Sequence, residues 1–394
     1  MRKLFMLSLL ASASLFMFSC KDDDEVKPDV TIPDKFSDLT PEQHKAKLEE
    51  NGLQLIEDME GLKDLNAIEA IINFVDLMSD DEDVYYTKDL FNAITVLDKN
   101  AASTEIFSAM RVKEGDGSIQ EMYEAEIGVY TWNPTFEEWD YQETGSAIVY
   151  KFPANAEENT NNATLTIKDY KGVTVANPLD ADYSGDLPTN LVVELKIDAT
   201  VVMKYSFNAQ YNNEGIPSLA KSTLELSPYV YAVEATNNSK EISLNYSLKK
   251  SAKVLIALGS KAGGLFDEDN LENGEEISDV FHTAEAYFQV MNIKIAGTVD
   301  IKKLEAETLN LDGPSQQMVK AFNDYVDLAV IYADSNEKLA EIDFYLGTYG
   351  DLDARMVFGD GSKTNLEVYF NNGFDDLLAE IEDLLSEFEE EEVY

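Results

Sequence analysis

The two tryptophans of the chain lie in one short segment and have the residue types that bind sugars. Trp132 and Trp139 flank the dipeptide Asn133-Pro134, which is a turn signal, so a hairpin here would bring the two indole rings together. Exposed aromatic rings stack on the apolar faces of sugar rings, and amides bind the hydroxyls. The pattern predicts a glycan contact through Trp132, Trp139 and Asn133. A cross-strand aromatic pair that only stabilises the hairpin is the simpler interpretation.

Oxygen ligands recur at alternate positions in an acidic segment further along the chain. Asp180, Asp182 and Ser184 occupy positions 1, 3 and 5 of a loop with glycine at position 6, and Asp186 follows. EF-hand loops bind calcium with this spacing. Position 12 is Leu191 instead of glutamate, so an acidic surface turn is the simpler interpretation and a calcium loop of another kind is the alternative. No other cofactor is expected.

Motifs for nucleophilic catalysis are weak. Ser218 with Lys221 and Ser247 with Lys250 both match Ser-x-x-Lys, but they fall in alternating, strand-like segments, whereas the penicillin-binding type needs a helix. The chain has 76 acidic residues, so finding two carboxylates close together is uninformative for glycoside hydrolysis. We therefore predict no catalytic residue, and a carboxylate-dependent hydrolase is the third-ranked function.

The N-terminus has the features of a lipoprotein signal. Arg2 and Lys3 precede an apolar stretch over residues 4–18, and Ser19-Cys20 follows. The stretch is too short to be a comfortable membrane-spanning helix. A small residue before a cysteine at this position resembles the lipobox of bacterial lipoproteins. The resemblance implies cleavage before Cys20, the single cysteine of the chain, and anchoring in a lipid bilayer through acyl chains on its sulfur.

An acidic run follows the cysteine directly. It comprises Lys21, Asp22, Asp23, Asp24 and Glu25. The run resembles the surface-export signal of Bacteroidota lipoproteins, which implies an outer-membrane location facing the cell exterior. The alternative is a solvated run that only keeps the tether extended.

The amino-acid composition argues against some classes of binding partner. The chain has 30 basic against 76 acidic residues, a formal charge of −46, and this opposes binding to nucleic acid. Hydrophobic residues make up 44% of the sequence, which is ordinary for a folded protein. With two histidines and one cysteine, a histidine- or cysteine-rich metal site is not expected.

Helical patterns occur near both ends of the chain. Thr40-Pro41 with Gln43 forms a capping-box sequence, and apolar residues then recur at helical spacing to Met78. Glycines at 52 and 61 are expected to break this run, and Thr87 is expected to cap a third helix. The C-terminal segment has the strongest amphipathic stripe. The stripe consists of Phe374, Leu377, Leu378, Ile381, Leu384, Leu385 and Phe388.

Between these helical segments, apolar residues recur at every second position. Residues 191–197 and 201–211 alternate around Asp198-Ala199, and residues 242–248 alternate likewise. Half-buried antiparallel strands have this pattern. Further strands are expected at about 338–346, 353–359 and 364–370, a strand or hairpin over 287–304 around Gly297-Thr298, and a helix from Ser315 to Ala329.

The predicted fold class is α+β: a large antiparallel β-meander with an N-terminal helical subdomain and a C-terminal amphipathic helix packed on one face. The predicted order is a signal peptide (1–19), an acidic tether (20–40), a helical subdomain (41–102), an antiparallel sheet domain (103–304) and an α/β C-terminal region (305–394). The expected function is that of a lipid-anchored, non-catalytic binding or envelope protein with a glycan or protein ligand. A carrier of a hydrophobic or lipid ligand is the alternative.

Overall fold

The computed structural model describes residues 30–62, 65–79, 119–175, 186–266, 270 and 276–370. They form a mixed sheet of sixteen mostly antiparallel strands with a few helices, which confirms the α+β class with mostly β structure. The chain divides into two compact units. The central unit is Gly61–Val233, and the split unit comprises Met1–Glu60 and Glu234–Tyr394.

The elements are numbered in chain order. The helices are α1 Pro41–Glu60, α2 Asn66–Ser79, α3 Ile119–Ala125, α4 Ile277–Val280, α5 Ile301–Thr308, α6 Gln316–Tyr325 and α7 Leu366–Phe370. The strands are β1 Gly128–Asn133, β2 Glu138–Gln142, β3 Ile148–Phe152, β4 Ala163–Thr174, β5 Asp186–Ile197, β6 Thr200–Tyr211, β7 Pro217–Leu226, β8 Tyr229–Asn237, β9 Glu241–Lys250, β10 Lys253–Gly264, β11 Phe281–Val290, β12 Ile293–Asp300, β13 Val326–Tyr332, β14 Glu337–Leu346, β15 Leu352–Phe358 and β16 Lys363–Asn365.

The sheet of the central unit departs from a pure meander at one end. Its strand order is β7-β6-β5-β4-β3-β1-β2. Strands β1 and β2 pair antiparallel, but β1 pairs with β3 in parallel. The all-antiparallel prediction is therefore wrong at this edge. The β1–β2 hairpin closes locally, and β3 then adds to the free side of β1.

The apolar side of the central sheet is covered by α2. Phe74 of α2 packs on Tyr150 and Phe152 of β3, with ring centroids 5.2 and 4.9 Å apart. Its neighbours Ala70 and Met78 are also buried. The alternating faces of β4 to β6 supply the other half of this core. Their opposite faces carry ion pairs such as Lys168 and Lys196 with Glu194, so each strand has one apolar and one polar side.

Several local predictions are confirmed. Residues Asp198 and Ala199 form the β5–β6 turn with φ angles of 49° and 67°, as a two-residue hairpin turn requires. Thr40 and Gln43 form the capping box, with the Gln43 side chain 2.9 Å from the Thr40 amide. Helix α1 nevertheless continues through Gly52 to Glu60, so the predicted break at that glycine is wrong.

In the split unit, strands β9 to β16 are neighbours in chain order. Of the two predicted alternatives for residues 287–304, a strand or a hairpin around Gly297-Thr298, the hairpin places the turn wrongly. The β11–β12 turn lies at Met291-Asn292, and Gly297 is inside β12. A Cβ at Gly297 would be 2.2 Å from the Leu328 side chain of β13, so this glycine permits a close approach between strands.

Helix assignments near the C-terminus are corrected in part. Ser315 caps α6 as predicted, but the helix ends at Tyr325, and Val326 and Ala329 belong to β13. The strand predicted over 364–370 is shorter than expected. Strand β16 ends at Asn365, and α7 begins at Leu366. The helices predicted from Thr87 and from Phe374 lie outside the described residues.

Residues 30–39, termed the N-terminal strap, lie on the split unit. The Val30 amide donates to Glu285 Oε2 at 2.9 Å, and Val30 and Ile32 pack against buried residues of β12 and β13. Further along, Lys338 pairs with Phe36 as a parallel bridge and places its ammonium 4.4 Å from that ring. This part of the predicted tether is therefore attached to the sheet along its length.

The two predicted N-terminal helices belong to different units. Helix α1 is in the split unit and α2 is in the central unit, whereas the sequence predicts one helical subdomain. Each amphipathic helix buries its apolar stripe on the sheet of its own unit.

Helix α1 is held at both ends. Near its start, His44 is 1% exposed, its Nδ1 lies 2.7 Å from the Tyr332 hydroxyl, and its ring stacks on Tyr332 and Phe358. Near its end, the Asp58 carboxylate contacts the ammonium groups of Lys250 and Lys253. The helix therefore crosses from β13–β15 to the β9–β10 turn.

No helix of the described residues is long and apolar enough to cross a membrane.

Burial of the two histidines should make stability depend on pH. Burial, with Lys47 adding to it, lowers the pKa of His44 below 6.5, while Asp360 opposes this. The folded protein then binds fewer protons than the unfolded chain, so the free energy of unfolding should decrease as pH falls from about 7.5 to 5.5. Urea unfolding across this range measures the decrease.

Two single variants identify the responsible group. His44→Gln keeps a polar partner for Tyr332 and should remove most of the decrease. The pKa of His282 is also lowered by burial, so His282→Gln should remove a smaller part. An unchanged pH dependence in His44→Gln would contradict the assignment.

Candidate functional site

The β1–β2 hairpin brings the two tryptophans together. Trp132 and Trp139 are directly opposite in the antiparallel register, with ring centroids 5.4 Å apart and edge-to-face. The turn is built by Asn133, whose Oδ1 accepts from the Thr135 amide at 3.2 Å and whose carbonyl accepts from the Glu137 amide at 2.9 Å. The predicted pairing of the indoles is confirmed.

Three tyrosines form the next row on the same side of the strands. Tyr130 is opposite Tyr141 on β2 and Tyr150 on β3. The ring centroids are 4.8 and 4.7 Å from that of Tyr130. Strands place every second residue on one face, so the tyrosine row and the tryptophan pair form one aromatic face of β2-β1-β3.

Most of this aromatic face is buried against the core of the central unit. The Trp139 indole Nε1–H donates to the Leu77 carbonyl at 3.4 Å, one of the last carbonyls of α2, which have no partner within the helix. Its ring also packs on Tyr150 and Phe74. Both indoles are partly buried against the central core. The tryptophan pair therefore contributes to packing, and part of each ring is accessible.

The outer end of the face is open. Tyr141 is 49% exposed and Phe136, in the turn, is 71% exposed. Tyr141 is held in place: its hydroxyl donates to the Ile127 carbonyl at 3.0 Å, and its ring lies where a Cβ on Gly128 would be, at 2.3 Å. The aromatic edge, which we define as Trp132, Trp139 and Tyr141, thus presents rings fixed in position at an edge strand of the sheet.

Two polar side chains near the aromatic edge, those of Tyr130 and Asn161, are buried or partly buried. Tyr130 donates to Glu126 Oε2 at 2.6 Å, and burial followed by this hydrogen bond raises the pKa of Tyr130, so the hydroxyl stays protonated. The Asn161 amide donates to the Trp132 carbonyl at 2.8 Å, while its Oδ1 is buried without a partner among the described residues.

The side chain of Asn133, a predicted sugar-binding residue, lies on the other face of the hairpin. Its Nδ2 donates to Asp140 Oδ2 at 3.0 Å. Both residues alternate with the tryptophans along their strands, so they lie on the opposite face of the hairpin. The structure therefore brings Trp132 and Trp139 together but does not add Asn133 to the same face.

The other predicted site residues are mostly outside the described part of the chain. Cys20 and residues 21–25 precede it, and Asp180, Asp182 and Ser184 fall in the gap 176–185. Asp186 begins β5, and its side chain is not described. Within the described ranges, no group of three or more His, Cys, Asp or Glu side chains is placed to hold a metal ion. Both Ser-x-x-Lys matches lie on strands, β7 and β9.

Tyr150 of the aromatic face and Phe152, two positions further along β3, were not predicted from the sequence. Tyr150 and Phe152 repeat the two-residue spacing of Tyr130 and Trp132. That repetition is the signal that could have identified them. Which strand lies beside β1 was not predictable from the spacing, because the pairing is parallel.

No protein-family model, no curated protein and no solved structure matches this chain.

The two tryptophans should differ in their contribution to stability. Trp139→Phe removes the indole donor to Leu77 and leaves a helix-end carbonyl with one partner fewer, so we expect a loss of about 1–2 kcal/mol in the free energy of unfolding. Trp132→Phe keeps an aromatic ring opposite position 139 and should lose less. Chemical denaturation of both variants measures the difference, and equal losses would show that the hydrogen bond to Leu77 contributes nothing.

Proposed function

We propose that this chain is a lipid-anchored binding protein of the bacterial cell surface, without a catalytic role, and that it binds carbohydrate at the aromatic edge. The observation that carries the carbohydrate proposal is the fixed, half-exposed ring of Tyr141 beside the partly exposed Trp132–Trp139 pair. A ring that is already fixed loses little freedom when a ligand stacks on it, which favours binding.

The surroundings supply hydrogen-bonding groups of the kind that sugars need. Strand β2 is at the end of the strand order, so its outer backbone groups have no neighbouring strand among the described residues. Asp140 and Gln142 on this strand are exposed, but they lie on the face opposite Tyr141. A sugar stacked on Tyr141 would therefore have the backbone groups at the outer edge of β2 within reach.

The anchor is proposed from the N-terminal sequence. Cys20 follows an apolar segment and a small residue, and the acidic run over residues 21–25 follows it. Several acyl chains on one cysteine anchor a protein stably, whereas a single chain is marginal. The residues between Cys20 and the N-terminal strap would link the folded units to the outer leaflet.

Carbohydrate binding predicts a loss of affinity in Tyr141→Ala. Glycan-array hits of the soluble Cys20→Ala protein should be confirmed by titration, with tryptophan fluorescence as the signal. Tyr141→Ala should weaken them at least about tenfold, or about 1.4 kcal/mol. Tyr349→Ala is the matched control, because Tyr349 is 94% exposed and outside the aromatic edge. Equal binding by Tyr141→Ala, or no glycan bound by the wild type, would reject this proposal.

Lipid anchoring predicts that Cys20→Ala leaves the membrane fraction. The chain has no second cysteine to acylate in this way. Labelling of cells with an alkyne fatty acid, followed by fractionation, should show label on the wild type alone. A control with Ser19→Gly keeps a small residue before the cysteine and should stay labelled. A Cys20→Ala protein that still sediments with the outer membrane would refute the anchor.

A further inference from the structure

The strands that carry the aromatic edge are acidic. Between Gly128 and Phe152 the sequence has four carboxylates and one basic residue. The carboxylates are those of Glu137, Glu138, Asp140 and Glu143, and all four residues are exposed. No lysine or arginine in the described part of the chain forms an ion pair with any of them. Their negative charge is therefore not neutralised within the described residues.

These carboxylates lie close to the rings. Each acidic residue is one or two positions from Trp139 or Tyr141 along the chain, and two residues of chain span at most about 7 Å. Glu137 precedes β2 in the turn, and Glu143 comes directly after β2. The Debye length is about 8 Å at physiological ionic strength, so salt only partly screens these charges at the rings.

The single basic residue of this segment is behind the aromatic face. Lys151 is opposite Thr131 in the pairing of β1 with β3, and Thr131 is opposite Asp140 in the pairing of β1 with β2. Successive residues of a strand point to opposite faces, so this row lies on the side of the sheet away from Tyr130 and Tyr150. Lys151 therefore does not offset the charge beside the rings.

A further carboxylate is bound to the aromatic face itself. The Tyr130 hydroxyl donates to Glu126 Oε2 at 2.6 Å, and Glu126 is half-buried. The rings act in the same direction, because the face of an aromatic ring is the negative part of its quadrupole. An anionic group stacked on the aromatic edge would be repelled by both, whereas an uncharged group would not.

We infer that the aromatic edge selects uncharged glycans and rejects glycans that carry carboxylate or sulfate groups. The inference rests on the proposed carbohydrate binding and names the class of glycan for that site. A sugar that stacks on Tyr141 brings its substituents toward Glu137 and Glu143, so an anionic substituent is repelled there. Because salt screens this repulsion, the selection should be strong in dilute buffer and weak in concentrated salt.

Matched glycans measure the selection. The soluble Cys20→Ala protein is applied to an array in which each uncharged oligosaccharide is paired with the sulfated form of the same chain, and pairs with a bound member are titrated by tryptophan fluorescence. In about 0.01 M sodium chloride, where the Debye length is about 30 Å, the uncharged member should bind at least about tenfold more tightly. In about 1 M sodium chloride, where the Debye length is about 3 Å, the ratio should fall below about threefold.

Charge-removing variants locate the source of the selection. Glu137→Gln with Glu143→Gln removes two carboxylates beside the rings and keeps the side-chain size. In about 0.1 M salt, where the Debye length is about 10 Å, it should strengthen binding of the sulfated form at least about threefold and change binding of the uncharged form less than about twofold. Glu50→Gln with Glu307→Gln is the matched control, because it removes two exposed carboxylates of the split unit. The control should change neither affinity.

Failure of this inference and failure of the proposed function give different results. A protein that binds sulfated forms as tightly as uncharged ones in dilute salt would overturn the inference and leave carbohydrate binding standing. An equal gain from the control variant would also overturn it, because the selection would then come from the net charge of the chain. The salt series needs no glutamate variant, so it decides the inference even if a variant does not fold. If no glycan of either kind binds in any salt, the proposed function is rejected and the inference with it.

Discussion

Each unit depends on helices to bury the apolar side of a sheet. A strand-after-strand order joins each strand to its neighbours through backbone hydrogen bonds, but it provides no second sheet to cover the apolar face. In the central unit this cover is α2, through Phe74 on Tyr150 and Phe152. In the split unit it is α1, fixed by His44 at one end and Asp58 at the other.

Some of the few basic residues of this acidic chain lie in pairs around a single carboxylate. Asp58, Glu194 and Asp343 each contact two basic side chains. Hydrogen bonds from Arg355 and Lys363 keep the pKa of Asp343 below its usual value, against the opposing effect of burial. Single exposed pairs contribute little to stability. A carboxylate between two cations, however, fixes the relative positions of two strands or of a helix and a turn in a chain with a formal charge of −46.

The two units expose apolar surface of different kinds. The aromatic edge of the central unit is a set of rings at the end of the sheet, braced by hydrogen bonds to Leu77 and Ile127. In the split unit, Phe288 of β11 and Ile295 of β12 lie opposite each other, and each is 38% exposed. Rings fixed at an exposed edge favour a ligand with a flat apolar face and a polar rim. This shape is the reason for proposing a carbohydrate ligand at the aromatic edge.

The sequence by itself determined what depends on neighbouring residues. The Thr40–Gln43 capping box, the Asp198-Ala199 turn and the Trp132–Trp139 pairing are confirmed, since each forms over a few residues and needs no distant partner. The alternation over 191–197 and 201–211 likewise indicated which side of β5 and of β6 is apolar. The predicted sugar-binding set was only partly assembled, because strand alternation puts Asn133 on the opposite face from the tryptophans.

Tertiary structure decided everything that depends on contacts distant in sequence. Gly52 stays helical because α1 is held to the sheet at both ends, and that packing outweighs the weak helix preference of one glycine, about 1 kcal/mol. Gly297 lies inside a strand, and the side chain of Leu328 on the next strand occupies the space that a Cβ at this position would need. The parallel pairing of β1 with β3, the burial of His44 against Tyr332 and the attachment of the N-terminal strap to β14 follow the same rule. Local patterns specify helices and turns, but the choice of neighbours is made by the burial gained when distant segments meet.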